Sequence, residues 1–137
     1  MSHDPHRLAD TQAWLRRAAA DLRGAEIDLA ATPPLLGDAA FHCQQAAEKA
    51  LKGFLAWHDA PFRKTHDLAE LGQQCVSIDP SLEAICRRAE RLTSYSWIFR
   101  YPGGAEEPIR AEAEETLTLA REVYKEILAR LPAEARP

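Results

Sequence analysis

Three stretches of this sequence carry residue types that could do chemistry, and each is rich in cations. In the first, His42, Gln45, Lys49 and Lys52 follow one another at steps of three, four and three. On a helix that spacing places them on one face. Two ammonium groups one turn apart repel unless a carboxylate or an anionic ligand neutralises them, so the face suits phosphate or carboxylate contact. A solvated surface with Glu48 nearby would give the same pattern. In the second stretch, Phe62-Arg63-Lys64-Thr65-His66-Asp67, two cations, a hydroxyl and an imidazole precede an expected helix start. Free N–H groups and the helix dipole favour an anion there. The competing reading has His66 and Asp67 capping the helix and fixing the loop.

The third stretch holds Arg87, Arg88 and Arg91, then Tyr95, Trp97, Arg100 and Tyr101. Arg88, Arg91 and Tyr95 fall on one helical face, an arrangement suited to phosphate pairing and base stacking. The alternative puts the rings in a core or a dimer seam and the guanidinium groups in water. Gln45, Lys49, Lys52, Lys64, His66, Arg100 and Tyr101 are the candidate ligand-binding residues. No catalytic residue and no metal ligand stands out: there is no His pair at i, i+4 and no cysteine cluster. A phosphate-binding glycine loop and a nucleophile elbow are also missing, and no cofactor is expected.

The elements that must position these residues are helices. Trp14, Ala18, Leu22, Ala25 and Leu29 make one stripe in a block from about Asp10 to Ala31, which Pro33-Pro34 ends. Ala40, Cys43, Ala47, Ala50, Leu51 and Phe54 form the apolar face of a second block, from about Asp38 to His58. Phe41 and Leu55 lie off that stripe and suggest a second contact surface. A short third helix is expected from about His66 to Val76, with Asp67 and Glu70 resembling a capping box and Thr65 a rival cap. Asp79-Pro80 opens a fourth, expected to run to about Phe99. Pro108 restarts the chain, and Leu117, Ala120, Tyr124, Ile127 and Leu131 make the last stripe. No run alternates with the period of a strand. The expectation is an all-α, up-and-down four-helix bundle with one additional short helix, a single domain over 1–137 with an ordered core of about 8–131.

Composition sets limits. The 137 residues carry a net charge of −4, so nucleic acid would have to be met by a local cationic cluster. Cys43, Cys75 and Cys86 are odd in number and lack close spacing, as expected of free thiols buried in a reducing compartment. The first residues hold no apolar signal segment, and no stretch approaches the ~20 apolar residues of a membrane span. A cytoplasmic location is therefore expected.

The run Ala39-Ala40-Phe41-His42-Cys43-Gln44-Gln45-Ala46-Ala47-Glu48-Lys49-Ala50-Leu51-Lys52 resembles the second-helix signature of HEPN domains. Lys64-Thr65-His66-Asp67-Leu68 and then Arg100-Tyr101-Pro102-Gly103 follow in the order of that family. The resemblance implies a helical bundle that usually dimerises, akin to the helical substrate-binding domains of nucleotidyltransferases. It also implies a minimal nucleotidyltransferase as partner, in a pair that acts as toxin and antitoxin. Some family members are metal-independent ribonucleases that use an Arg followed by His after four to six residues. Here no His follows Arg100 at all, which removes the usual acid/base. The expected function is thus a non-catalytic module that binds a nucleotide, RNA or the nucleotidyltransferase partner. A ribonuclease with a displaced acid/base and a purely structural dimerisation module, using Phe41, Leu55 and the aromatic end of the fourth helix, are the alternatives.

Overall fold

The computed structural model describes residues 4–103 and 106–137. Its first helix, α1, spans Pro5–Ala30. Asp4 caps it by accepting from the His6 N–H, and Pro5 occupies the first turn, where a missing N–H costs nothing. The chain turns through Pro33-Pro34, tied by the Leu35 N–H donating to the Asp28 carbonyl at 2.9 Å. It then enters α2, Leu36–Trp57. The two helices run antiparallel: Leu15 packs against Gly53, Asp21 meets Lys49, and Asp28 meets His42. A Cβ at Gly53 would come within 3.1 Å of the Leu15 side chain, so the glycine lets the two backbones approach.

Next comes α3, Leu68–Ile78, capped by Asp67, whose carboxylate accepts from the Ala69 N–H. Only half of the expected capping box forms, because Glu70 turns instead to Arg63 at 2.8 Å. Asp79 then caps the next segment, accepting from the Ser81 N–H.

The fourth block departs from the single long helix expected. It is a 3-10 turn, Pro80–Leu82, followed by a two-turn helix α4, Glu83–Ala89, and a 3-10 stretch, Glu90–Ser96. Thr93, Ser94 and Ser96 are poor helix-interior residues, since their hydroxyls compete for backbone groups. The Thr93 hydroxyl accepts the Leu68 N–H at 3.2 Å, and the Tyr95 hydroxyl donates to Glu112 at 2.6 Å. These two tethers hold the chain in the tighter coil. The last helix, α5, spans Arg110–Ala129, and a 3-10 turn at Ala133–Ala135 packs back near α1.

The result is an all-α bundle of three long helices and two short ones, with no strand among the described residues. α2 is its central rod, buried along most of its length and in contact with α1, α3, α5 and the 3-10 stretch. Phe54, Leu51 and Leu55 on α2, with Leu15, Leu68, Leu71, Leu92, Leu119 and Ile127, form the core. Leu55, expected to mark a second contact surface, is fully buried within this same core. No described helix is long and apolar enough to cross a membrane.

Candidate functional site

Because α2 has neighbours on several sides, its polar side chains cannot simply reach water. Glu48 shows the consequence. The residue is only 3% exposed, an expensive place for a charge without partners. One oxygen accepts from Lys52, one turn on, at 2.9 Å. The other accepts from His66 Nδ1 at 2.7 Å and from Gln44 Nε2 at 3.1 Å. The Lys52 ammonium is buried too, under the rings of Trp14 and Phe62 at 5.4 and 5.7 Å from their centroids. Gln44 also donates to the His66 carbonyl at 3.3 Å and accepts from Gln45 at 2.7 Å. The loop before α3 is thereby clamped onto α2.

His66 is held by one edge only. A carboxylate can only accept, so Nδ1 carries the proton and Nε2 of the neutral ring is left with its lone pair. The side chain is 66% exposed. The arrangement is a buried carboxylate orienting an imidazole whose opposite nitrogen is the basic one.

Two turns toward the start of α2, Phe41 lies on the same face as Glu48. The Arg100 guanidinium sits 4.2 Å from the centre of its ring, a stacked cation–π contact. Phe99 approaches α2 at Gly37, where a Cβ would meet the Phe99 Cβ at 3.0 Å, and stacks on Tyr95 at 5.6 Å. Seven helical residues span about 10 Å. Arg100 and His66 therefore flank a single face of α2, with the half-buried Gln45 between their anchors. Tyr101, 70% exposed, and Trp97, also exposed, lie beyond the end of the 3-10 stretch.

The seven candidate residues thus divide. Lys64, His66, Arg100 and Tyr101 are exposed, and Lys64 makes no ion pair with a described residue. Lys52 is buried against Glu48, and Lys49 turns to the other side of α2, where it donates to Asp21 at 2.6 Å. His42 likewise meets Asp28 at 2.8 Å. The open cationic face that the three-four-three spacing suggested is closed by carboxylates on α1 and α2. The N-terminus of α3 is also occupied by the chain itself: Thr65 accepts from the Asp67 N–H, Asp67 from Ala69 and Thr93 from Leu68. Glu48 and Phe41 were not among the candidates. The Glu48/Lys52 pair at i, i+4 was the signal for the first. Nothing in the sequence marked Phe41 as the seat of Arg100.

The thiols are set apart from this chemistry. Burial pushes Cys43 up to about 12 and Cys86 up to about 11, and it raises Cys75 further. No group of three metal-ligating side chains forms among the described residues.

A family model described as the HEPN domain matches residues 11–131. The chain belongs to the HEPN family. No curated protein and no solved structure matches it. In this HEPN domain α2 is the central rod, and His66 and Arg100, from two segments that follow it, meet it at Glu48 and Phe41.

Proposed function

We propose that this HEPN domain binds a nucleotide or single-stranded RNA across the Phe41–Glu48 face of α2. The observation that carries this reading is the placement of Arg100 and His66 two helical turns apart over that face. A mononucleotide measured from base to phosphate is of comparable length. Arg100 supplies a guanidinium already seated on a ring, suited to a phosphate. Lys64 adds a mobile positive charge, and Tyr101 and Trp97 offer faces for a base. Lys49, Lys52 and Gln45 serve this site by holding α1, the loop before α3 and α2 together.

Calorimetric titration with nucleoside triphosphates and with a short single-stranded RNA tests the proposal. Arg100→Ala is expected to weaken binding by about 1–3 kcal/mol, as for loss of a charge-assisted contact. Saturating titrations with no heat and no fluorescence change would remove the reading. Family membership supports a protein partner as well: HEPN proteins often pair with nucleotidyltransferases, and we assign a minimal enzyme of that class as the cytoplasmic partner of a homodimer. Co-expression followed by size-exclusion chromatography checks this, a lone monomeric peak being the opposing result.

The Glu48–His66 pair favours a second reading, a metal-independent ribonuclease. His66 Nε2 would take the proton of a ribose 2′-hydroxyl as its oxygen attacks the adjacent phosphorus. The bond to the 5′-oxygen then breaks, and that oxygen takes a proton from water. An RNA that is bound and never cut, at any pH tested, rejects this second reading and leaves the first standing.

A further inference from the structure

The first helix has two faces, and the fold uses one. Thr11, Leu15, Ala18, Leu22 and Ala25 point inward at steps of four and three and are buried. On the opposite side Ala9, Ala13, Arg16, Ala20, Arg23, Ile27 and Ala30 recur at the same alternating steps, and every one is exposed. Ile27 is 59% exposed. A sustained three-four repeat of this kind is the spacing at which one helix packs along another.

The charge on this face is as one-sided as its shape. Arg16, Arg17 and Arg23 make no ion pair or hydrogen bond with a described residue. Elsewhere Arg63, Arg87, Arg88, Arg110, Arg121 and Arg130 each hold a carboxylate. Of the two acids adjoining Ile27, Glu26 pairs with Arg121 on α5 at 2.8 Å and Asp28 with His42 on α2 at 2.8 Å. In a chain with net charge −4, the seven outward positions of α1 carry two arginines and no acid, while elsewhere Lys64, Arg91 and Lys125 are exposed cations without an ion pair among the described residues. Arg16 and Arg23 stand about 10 Å apart, two turns, so acids seven residues apart on a facing helix would meet them.

We infer that the outer face of α1 is a docking seam for an acidic amphipathic helix of a partner protein. The alanines let a second helix approach, Ile27 supplies an apolar anchor, and the guanidinium groups select acidic side chains beside the partner's apolar stripe. The seam is separate from the α2 face and holds or fails on its own. The alanines and Ile27 argue for a helix rather than a nucleic-acid strand, which would need cations and stacking faces but no apolar groove.

The test is a titration of the isotope-labelled full chain, followed by amide chemical shifts. The probes are a synthetic amphipathic helix with leucines at three-four spacing flanked by glutamates, the same peptide with lysines for glutamates, and a short single-stranded RNA. The acidic peptide is expected to shift the outward amides of Ala9–Ala30 and to bind more weakly as salt rises. Arg16→Glu with Arg23→Glu should weaken it at least tenfold. Ala20→Trp should weaken it through shape alone, with the charges untouched. All three positions are exposed, so the variants should keep the parental melting curve. The inference is overturned if the lysine peptide binds equally well, if RNA moves these amides and the acidic peptide does not, or if no probe moves them.

Discussion

Replacing Glu48 by glutamine removes one charge from a side chain that is 4% exposed and strands another. Lys52, 7% exposed, is left with its ammonium among Trp14, Phe62 and an amide. Breaking a buried ion pair from one side typically costs about 3–5 kcal/mol. The glutamine keeps one acceptor for Lys52, which argues for the lower end, about 3 kcal/mol. With an unfolding entropy of roughly 2.1 cal/mol/K per residue, the 137 residues have about 0.29 kcal/mol/K, so Tm should fall by about 10 °C. Removing both charges should cost less than removing one. In Glu48→Gln with Lys52→Met, the buried ammonium is gone and a side chain of similar length still covers the rings, although the cation–π contacts of about 0.5–2 kcal/mol go with it. The double variant should therefore melt above the Glu48→Gln single variant. Thermal and urea unfolding of the two single variants and the double variant give the coupling directly. A drop below about 3 °C for Glu48→Gln, or a double variant no more stable than it, would show that this cluster does not hold the loop onto α2.

Three further outcomes follow from the same structure. Burial, and then the Arg7 charge, hold the His58 pKa below its ordinary value near 6.5. As pH falls from 7, the unfolded chain takes up this proton first, so His58 should remove stability until its folded form also protonates. Urea midpoints between pH 7.5 and 5 should show that loss in the parent and less of it in His58→Gln; parallel profiles would oppose it. The three cysteines, with thiols pushed well above the usual range by burial, should resist a disulfide reagent at pH 8 and react only as fast as the fold opens. Immediate labelling of one thiol in the native protein would contradict this. Gly53→Ala gains about 1 kcal/mol of helix propensity but sets a Cβ 3.1 Å from Leu15, where overpacking costs about 1–3 kcal/mol. The net expectation, checked by thermal melting, is a loss; a raised Tm would mean that α1 yields freely.

Much of the frame is legible in the residues. Pro33-Pro34 and the stripes at three and four place α1 and α2, and Asp67 and Asp79 announce the starts that follow. The fourth block was not legible as a broken helix, because Leu82, Ile85, Cys86, Ala89 and Leu92 keep helical spacing through it. What tightens the coil is a pair of bonds to distant residues, Thr93 with Leu68 and Tyr95 with Glu112. The polar positions of α2 were misleading for a related reason. His42 and Lys49 look like an open face until α1 is laid antiparallel beside them. Asp28 and Asp21, seven residues apart like their partners, then close it.

That closure explains where binding chemistry remains in the fold. A cation on the central rod is surrounded by backbone and side chains from several directions, and an unpaired charge there would cost several kcal/mol. Its neighbours must supply carboxylates, as Asp21 and Glu48 do for Lys49 and Lys52. A cation on a loop or 3-10 segment meets no such demand, because water solvates it until a ligand arrives. Arg100, in the turn that follows the 3-10 stretch, can thus rest on Phe41 with its hydrogen-bond donors still available, and Lys64 can remain unpaired in the loop before α3. The residues that hold the bundle and those that meet a ligand are sorted by burial, even where they carry the same charge.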